Sequence, residues 1–499
     1  MVNTVEGARK YAEEMCERFT LESLAPKTNF LLEPKAEDVK AFLNRIKFGK
    51  RLTSGETIYD LVERKFVLPT SKELHGEYGA TFEVSNRIME CQCPLNLDTY
   101  GGFCTYNCMY CFVQYYSQSL YSAYYDNWTP TYLSVANVDK VKKDLSELIE
   151  GKRKGSDKRG GISSKESMCS DSEVIASFNR RIPLKIGNRT ECFQKIEKGR
   201  GVTLEALRVL KGYGYPIIIN TKTDMIREEP YFSLITSFGD DVLIQETITT
   251  PDDDFAKVVE PGAPSSTERF KTIKAFTDVG IRAIPRMEPP LLFLRNERNT
   301  DEEFQEFLRK SADSGVKMVL SDTYSNTVVS PDIRHAFYDR GLDYDRMYYA
   351  QAEYQELGSA MQAKFFFEAK KYGIVWNPSY TFQTSFLQEK NYCCGCEDRQ
   401  KHNRFNTFTA GFEILKRGRM TWKEFAEEPP LTDWVVPRLK RVWNHERSDF
   451  PWNLEFTTGV VAGDVDSDGN LVYVADFDDD PFLDALKYLG DKYEGKQRV

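Results

Sequence analysis

Three cysteines lie within eight residues of the chain. They are Cys104, Cys108 and Cys111, spaced C-x3-C-x2-C, with Tyr110 just before the last of them. Cysteine thiolate is the usual protein ligand of iron–sulfur clusters, so each thiol can hold one corner of a cubic 4Fe-4S cluster. The fourth iron would then have no protein ligand and could bind another molecule. The motif therefore predicts a cluster whose open iron carries the chemistry.

A structural zinc site or a set of scattered core thiols would also account for three neighbouring cysteines. Structural zinc is held by four ligands, usually as two separated C-x2-4-C pairs or as one such pair with two histidines. No fourth ligand lies close to the three cysteines in the sequence. The spacing therefore favours the cluster over both alternatives.

A second cysteine group, Cys393-Cys394-Gly395-Cys396, lies near the other end of the chain. Three roles remain open for Cys393, Cys394 and Cys396: an auxiliary iron–sulfur cluster, a zinc site, or free thiols near the active site. Ligand type alone does not separate iron–sulfur from zinc. Candidate further ligands are His402, Cys91 and Cys93.

The composition is that of a globular protein. Hydrophobic residues make up 41% and aromatic residues 13% of the 499 residues, which is ample for burial. There is no apolar run of about 18 residues, and the first residues lack a signal-peptide pattern, so we expect no membrane partner. Eleven cysteines without a secretion signal indicate a reducing compartment. We expect the cytoplasm, which would be the host cytoplasm if the protein is viral.

The net charge of −9 is not typical of a nucleic-acid-binding protein, but basic residues are concentrated in two stretches. Residues 152–159 form a basic loop, and residues 399–447 interleave basic residues with Trp422, Trp434 and Trp443. Such a pattern suits a phosphate backbone with stacked bases. Solvated helix faces account for each stretch equally well.

The elements that would position the first cysteine loop alternate between short apolar strands and amphipathic helices. This order predicts an α/β fold with a partial (β/α)6 barrel, whose ligands gather at the carboxyl ends of the strands. Strands are predicted for a run ending at residue 97 and for residues 183–187, 216–221, 242–248, 281–287 and 316–321. Helices are predicted at 139–151, 203–212, 266–278, 301–314 and 348–372. The predicted regions are a helical N-terminal region (1–85), the core (86–335), an α+β C-terminal region (336–450), and a hairpin and helix (451–499).

The cysteine spacing, the glycines before it and Tyr110 resemble the signature of the radical S-adenosylmethionine (radical SAM) superfamily. The segments after the strands resemble its spore photoproduct lyase and DNA-repair-photolyase-like branch, over residues 85–325. Those segments are Gly187 to Glu197, Asn220-Thr221-Lys222, Thr247 to Thr250, Glu260-Pro261-Gly262-Ala263-Pro264, and Arg286 with Pro289.

The resemblance implies that S-adenosylmethionine binds the open iron and is cleaved to a 5′-deoxyadenosyl radical. S-adenosylmethionine needs a cationic partner for its carboxylate, and Lys222 can supply this charge. Thr190, Glu191 and Thr247 suit its amino group or ribose, Tyr110 can pack near its adenine, and Arg286 is a further candidate. For Lys222 and Arg286 the alternative is an ion pair that closes the mouth of the barrel.

Two departures separate this chain from spore photoproduct lyases. Asn188 replaces their hydrogen-donating cysteine, and Phe112 replaces a tyrosine. Thymine-dimer repair by that route is therefore not expected. The sequence favours hydrogen abstraction from a nucleobase or nucleotide, including DNA base modification, with electrons from a flavodoxin- or ferredoxin-type donor. The alternatives are a radical enzyme acting on a peptide or small metabolite, and a non-catalytic iron–sulfur or zinc module that binds nucleic acid.

Overall fold

A computed structural model describes most of the predicted core and parts of the regions around it. The residues described are 4–18, 73–78, 81–84, 93, 95–102, 104–106, 108, 110–111, 132–152, 177–188, 190–291, 300–321, 356–378, 387, 394–396, 407–427, 440, 443–444, 460–477, 483, 486–487 and 491.

The described strands and helices alternate over most of the core, as predicted. The strands are β1 (Glu73–Tyr78), β2 (Thr81–Val84), β3 (Leu95–Asp98), β4 (Tyr100–Gly102), β5 (Tyr132–Ala136), β6 (Leu184–Ile186), β7 (Ile217–Thr221), β8 (Val242–Thr247), β9 (Arg282–Met287), β10 (Met318–Ser321), β11 (Val375–Pro378), β12 (Arg419–Met420), β13 (Val460–Val465) and β14 (Leu471–Ala475). The helices are α1 (Val5–Arg18), α2 (Val138–Ile149), α3 (Glu197–Arg200), α4 (Val202–Gly212), α5 (Tyr231–Thr236), α6 (Asp253–Val259), α7 (Ser266–Thr277), α8 (Thr300–Asp313), α9 (Glu356–Lys371), α10 (Thr407–Arg417) and α11 (Trp422–Glu427). Short 3-10 turns cover Met225–Arg227 and Gly239–Asp241.

The central sheet has eight strands in the order β11-β10-β9-β8-β7-β6-β3-β2. The seven strands from β11 to β3 are parallel, and β2 pairs antiparallel with β3 at one edge. All six predicted strands are present, which confirms the α/β fold class. The seventh, β11, was not predicted because Val-Trp-Asn-Pro is short and ends in proline. Closure into a partial barrel stays a prediction.

The two faces of the sheet have different neighbours. On β7, Ile217 and Ile219 belong to the large core that also contains Leu207 of α4 and Phe276 of α7. Ile218 points the opposite way, because successive strand residues alternate between faces. It packs in a smaller cluster with Leu243, Ile284, Met318, Leu320, Cys93, Cys394 and Cys396. The sheet is therefore buried on both faces around its centre, as parallel sheets usually are.

The far edge of the sheet is stabilised by aromatic packing around Trp376 of β11. Trp376 is fully buried, and its ring centroid lies 5.2 Å from that of Phe304 on α8 and 5.1 Å from that of Phe365 on α9. Its indole nitrogen donates to Gln362 Oε1 at 2.7 Å. Truncating such a residue to alanine costs about 3–5 kcal/mol. Trp376 thus joins α8 and α9 to the sheet.

The N-terminal region contains α1, as predicted, but also strands. Helix α1 packs against α9, and its residues Ala8 and Ala12 are buried. Strand β1 pairs parallel to β5 in a three-stranded sheet with β4, and β2 belongs to the central sheet. The sequence also predicts helices at 36–49 and 53–64 from the helical spacing of their apolar residues, and both ranges lie outside the described residues. Pairing with β5 and β3 decides the strand conformation of β1 and β2, which a local periodicity does not reveal.

The C-terminal hairpin is confirmed: β13 and β14 pair antiparallel around a turn in which Gly469 has a φ of +78°. Trp422 and Trp443, which the sequence pattern linked to base stacking, are both buried. The Trp443 nitrogen donates to the Leu471 carbonyl at 2.6 Å, and its ring stacks on Phe425 at 5.0 Å. Both indoles therefore belong to the core of this region and are not accessible for stacking on bases.

Candidate active site

The cysteine loop follows β3 and β4 and lies at the carboxyl ends of the parallel strands, as predicted. Cys108 is buried, and Cys104 and Cys111 are half-buried. Within the loop, the Cys111 amide donates to the Cys108 carbonyl at 3.1 Å. The Thr105 amide donates to Gln194 Oε1 at 2.8 Å, which ties the loop to the segment after β6.

A glycine after β8 holds the other side of the loop. The Gly262 amide donates to the Tyr106 carbonyl at 3.0 Å. A Cβ at Gly262 would lie 2.7 Å from Tyr106 Cα and would also collide with the Thr105 carbonyl oxygen. Only glycine allows the two backbones to approach this closely. The Glu260-Pro261-Gly262 segment is thus built to receive the cysteine loop.

The three thiols are close enough to affect each other's ionisation. Burial raises the pKa of Cys104 to about 11 and raises that of Cys108 as well, and neighbouring loop cysteines add to both effects. The described residues contain no group of three or more His, Cys, Asp or Glu side chains that could hold a metal ion. A cubane cluster does not need such convergence, because each thiolate binds a different iron. The donor set of three thiols beside a lysine therefore suits a cluster, whose binding would displace the thiol protons.

Lys222 lies next to this loop. Its Nζ is 5.7 Å from the centre of the Tyr110 ring, within the range of a cation–π interaction. Burial lowers the pKa of the Lys222 ammonium, but the charges of Cys108 and Glu260 outweigh burial and the net pKa is raised. Lys222 is therefore a fixed positive charge between the cysteine loop and the end of β7.

Glu191 fixes the end of β7 below Lys222. Its carboxylate accepts from the amides of Phe193 and Lys222 and from the Thr221 hydroxyl, all at 2.9 Å. Burial raises the pKa of Glu191, and these three donors oppose that rise. The adjacent Thr190 donates its hydroxyl to the Tyr100 carbonyl. Both side chains thus already serve in positioning the loop and the strand end.

The last two predicted residues, Thr247 and Arg286, are register neighbours at the ends of β8 and β9. Arg286 forms an ion pair with Glu288, two residues further along the chain. This is the kind of pairing that the sequence analysis left open for Arg286. The structure therefore brings Tyr110, Glu191 and Lys222 together with the cysteine loop, and places Thr247 beside Arg286 at the same edge of the sheet.

A buried ion pair that the sequence analysis missed supports Tyr110. The Tyr110 hydroxyl donates to Glu260, and Glu260 pairs with Arg269 of α7, both side chains being fully buried. Arg269 also donates to the Pro264 and Thr247 carbonyls at 2.7–2.9 Å. The sequence of α7 could have indicated this pair, because Arg269 lies on the same apolar face as Ile273 and Phe276. A buried arginine on such a face requires a paired carboxylate.

The second cysteine group meets Cys93 on the opposite face to the helices. Cys93 Sγ and Cys396 Sγ are 3.9 Å apart, and hydrogen bonds with Cys394 and Cys396, together with burial, raise the pKa of Cys93. Gly395, with a φ of +77°, lets this turn approach the sheet, since a Cβ there would lie 2.8 Å from Ile284 Cδ1. Cys93 precedes β3, so these thiols lie towards the amino ends of the strands. Cys393, Cys91 and His402 lie outside the described residues.

Comparison with known proteins gave few sequence matches. No protein-family model matches the chain. An uncharacterised protein, ORF301 of Acidianus two-tailed virus, is 25% identical over 111 residues, which is 22% of this chain and 36% of that protein. The chain therefore matches about a third of the length of this relative.

Several solved structures are similar to part of the fold. A mutant of spore photoproduct lyase aligns with a TM-score of 0.41 and 13% identity, covering 69% of this chain and 96% of that one. Spore photoproduct lyase complexed with dinucleoside spore photoproduct aligns with a TM-score of 0.36 and 14% identity, covering 59% of this chain and 78% of that one. SuiB of Streptococcus suis bound to precursor peptide SuiA aligns with a TM-score of 0.34 and 12% identity, covering 58% of this chain and 51% of that one.

None of the helices in the described ranges is long and apolar enough to cross a membrane.

Proposed function

We propose that this protein is a radical SAM enzyme that abstracts hydrogen from a nucleobase or nucleotide. Cys104, Cys108 and Cys111 would hold a 4Fe-4S cluster. When bound, the cluster and S-adenosylmethionine would supply a 5′-deoxyadenosyl radical. The observation that carries the proposal is the placement of a three-thiol loop beside a half-buried lysine, at the carboxyl ends of a parallel sheet. In such sheets this edge is where ligands bind.

The chain's own residues have distinct roles in this proposal. Lys222 would bind the carboxylate of S-adenosylmethionine, since its charge is retained in the buried site. Thr247, at the same edge, would bind a hydroxyl or the amino group. Glu191 would act on Lys222 indirectly, because its oxygens already accept from the Lys222 amide and two other donors. The pair of Glu260 and Arg269 would hold Tyr110 against the site.

The substrate class rests on less direct support. The resemblance to the spore photoproduct lyase branch favours a nucleobase. The acidic net charge of −9 favours a peptide or small metabolite as the second candidate. Among the similar structures, spore photoproduct lyase holds a dinucleoside and SuiB a precursor peptide. A DNA substrate predicts an affinity that falls steeply with salt, whereas a small-metabolite substrate does not.

The test of the proposed chemistry is anaerobic reconstitution with iron and sulfide, followed by dithionite, S-adenosylmethionine and chromatography for 5′-deoxyadenosine. The wild type should produce 5′-deoxyadenosine. Cys104→Ala should lose iron and the product together, while the matched control Cys16→Ala in α1 should keep both. A reducible cluster without any 5′-deoxyadenosine would refute the enzyme and favour the non-catalytic binding module.

We propose that Cys93, Cys394 and Cys396 contribute to a second metal site, either an auxiliary cluster or zinc, whose remaining ligands would come from outside the described residues, since the described ones form no metal-holding group by themselves. The 3.9 Å between Cys93 Sγ and Cys396 Sγ is close to the roughly 3.8 Å edge of a tetrahedron of thiolates at about 2.3 Å from zinc. Metal analysis of the reconstituted protein decides between the two. An auxiliary cluster gives about eight irons per chain, and zinc gives about four irons with one zinc. Cys396→Ala should remove only the metal of the second site and leave the four irons of the first cluster. Four irons without zinc would refute a second site.

A further inference from the structure

Asn220 is a buried polar residue whose side chain has no hydrogen-bond partner in the part of the chain that the structure describes. It is 5% exposed, and neither Nδ2 nor Oδ1 is bonded. An unsatisfied buried donor or acceptor costs about 1–3 kcal/mol. Native proteins keep few such groups, and each one requires a physical reason.

The position of Asn220 is between the two cysteine groups. It lies on β7 two residues after Ile218, so both side chains are on the face that packs against Cys394 and Cys396. Lys222 is two residues further on, beyond the end of the strand, under the Tyr110 ring. The carboxamide is therefore one layer deeper in the site than the charge proposed to bind the cofactor.

The described neighbours of Asn220 do not hydrogen-bond its carboxamide. On one side the register partner is Gln245, whose amide donates to the Cys394 carbonyl at 2.7 Å. On the other side is Gly187, which has no side chain and where a Cβ would collide with the Asn220 carbonyl oxygen. Ile218 is apolar. Within the described part of the chain, a donor and an acceptor of Asn220 are therefore left without a partner and could pair with a ligand.

We propose that Asn220 determines substrate specificity by pairing its carboxamide with the edge of a nucleobase. This inference rests on the proposed function and deepens it. A carboxamide presents an N–H and a C=O side by side, and a base edge presents a matching acceptor and donor on neighbouring atoms. A trans peptide unit points its N–H and C=O in opposite directions, so it cannot bond both atoms of one carboxamide. Bidentate pairing thus favours a base over a peptide backbone.

The test is equilibrium binding of the four deoxynucleosides to the reconstituted enzyme in the presence of S-adenosylmethionine. Asn220→Leu keeps the size and removes both bonds, and should weaken binding roughly tenfold to hundredfold, as expected for two hydrogen bonds. Asn220→Asp offers only acceptors, and should move the preference towards deoxyguanosine, whose edge carries two neighbouring donors. The control Asn137→Asp makes the same change at the N-cap of α2, where aspartate is equally suitable, and should leave the preference unchanged.

Three results would overturn the inference. The first is equal binding of every deoxynucleoside by the wild type and both Asn220 variants. The second is wild-type enzyme that binds none of them at millimolar concentration, and the third is tight binding of short peptides alone. Thermal unfolding shows whether each variant is folded. If Asn220→Leu does not fold, the deoxynucleoside preference of Asn220→Asp tests the inference in its place. Failure of the proposed function is a separate outcome, since it is the absence of 5′-deoxyadenosine from an enzyme that still binds deoxynucleosides.

Discussion

Replacing Arg269 by methionine would remove the cation from the buried pair that supports Tyr110. Methionine is similar in length and apolar, so the change removes charge with little loss of packing. The Glu260 carboxylate would stay buried, with only the hydroxyls of Tyr110 and Thr249 as neighbouring donors among the described residues. The change therefore isolates the energetic role of the pair at the cysteine loop.

The expected loss of stability can be worked out from these contacts. Breaking a buried ion pair by removing one partner costs about 3–5 kcal/mol, because the remaining charge loses its bonded partner, and here Glu260 would keep only its electrostatic interaction with Lys222 as charge compensation among the described residues. The Pro264 and Thr247 carbonyls also lose their donor, which adds to the loss in Arg269→Met, whereas the nearby charge of Lys222 reduces it. Glu260→Gln should cost less, about 1–3 kcal/mol, because Arg269 keeps its bonds to both carbonyls. The double variant should cost less than the sum of the two, by about 0.5–3 kcal/mol.

The assay is urea unfolding at pH 7, followed by tryptophan fluorescence and circular dichroism, with coincident transitions as the condition for using a two-state free energy. Iron retention after reconstitution reports on the loop itself and should fall in Arg269→Met. A free energy of unfolding within about 1 kcal/mol of the wild type would refute the reasoning. So would strict additivity in the double variant, because it would mean that the two side chains do not interact.

Three further substitutions test other features. Glu246 is fully buried, its carboxylate has no hydrogen-bond partner within the described ranges, and burial holds its pKa well above the ordinary value. Stability should therefore fall as pH rises above about 4.5, and Glu246→Gln should flatten this fall in thermal unfolding between pH 5 and 8. Gly262→Ala should displace Thr105 and lower the iron content severalfold while the protein stays folded. Gly395→Ala adds a Cβ beside Ile284 at a positive φ and should lower the melting temperature by several degrees.

These predictions have matched controls. Gly199→Ala lies in a helix with nothing within 4 Å of the added Cβ, so iron content and melting temperature should not change. Glu268→Gln alters a carboxylate near the surface whose pKa is lowered by Lys271 and Arg227, so its contribution to stability is lost on acidification and not on alkalinisation. A Gly262→Ala protein with full iron content would contradict the close approach of the two backbones. If the melting temperature of Glu246→Gln fell with pH as steeply as that of the wild type, the buried Glu246 carboxylate would not be the cause of the pH dependence.

The central strands could be predicted from the sequence because each is a short apolar run between turn residues. Strands β6 to β10 were predicted to within two residues at each end for this reason. Strands β1, β4 and β5 could not be predicted, since their residues are mixed and they depend on each other for pairing. A strand that is buried on both faces can be recognised from its local apolar pattern. The strands of the small sheet of β1, β5 and β4 instead depend on partners distant in sequence.

The candidate site was predictable where residue type is decisive. Cysteines at fixed spacing identify the loop, and a lysine at the end of a strand indicates a charge partner. The proximity of Cys93 to Cys396 confirms one of the three candidate partners named from the sequence, which could not choose it over Cys91 or His402 because 303 residues separate the two cysteines. The function of Arg269 and the unsatisfied Asn220 emerge only from packing. For Trp422 and Trp443 the sequence left base stacking and solvated helix faces equally open, and the burial of both indoles excludes stacking on bases.

The contacts of the cysteine loop restrict the order in which the protein can be assembled. Residues 105, 106 and 110 are bonded to residues 194, 262 and 260, so each partner is synthesised about 90 to 160 residues after the loop. The loop cannot be held in place until translation has passed β8 and α6. Iron–sulfur delivery to a growing chain would therefore meet unconstrained thiols. If the loop holds the proposed cluster, its thiols are held in place only in a largely folded apoprotein, and truncation before residue 262 should lower iron loading even though all three cysteines are present.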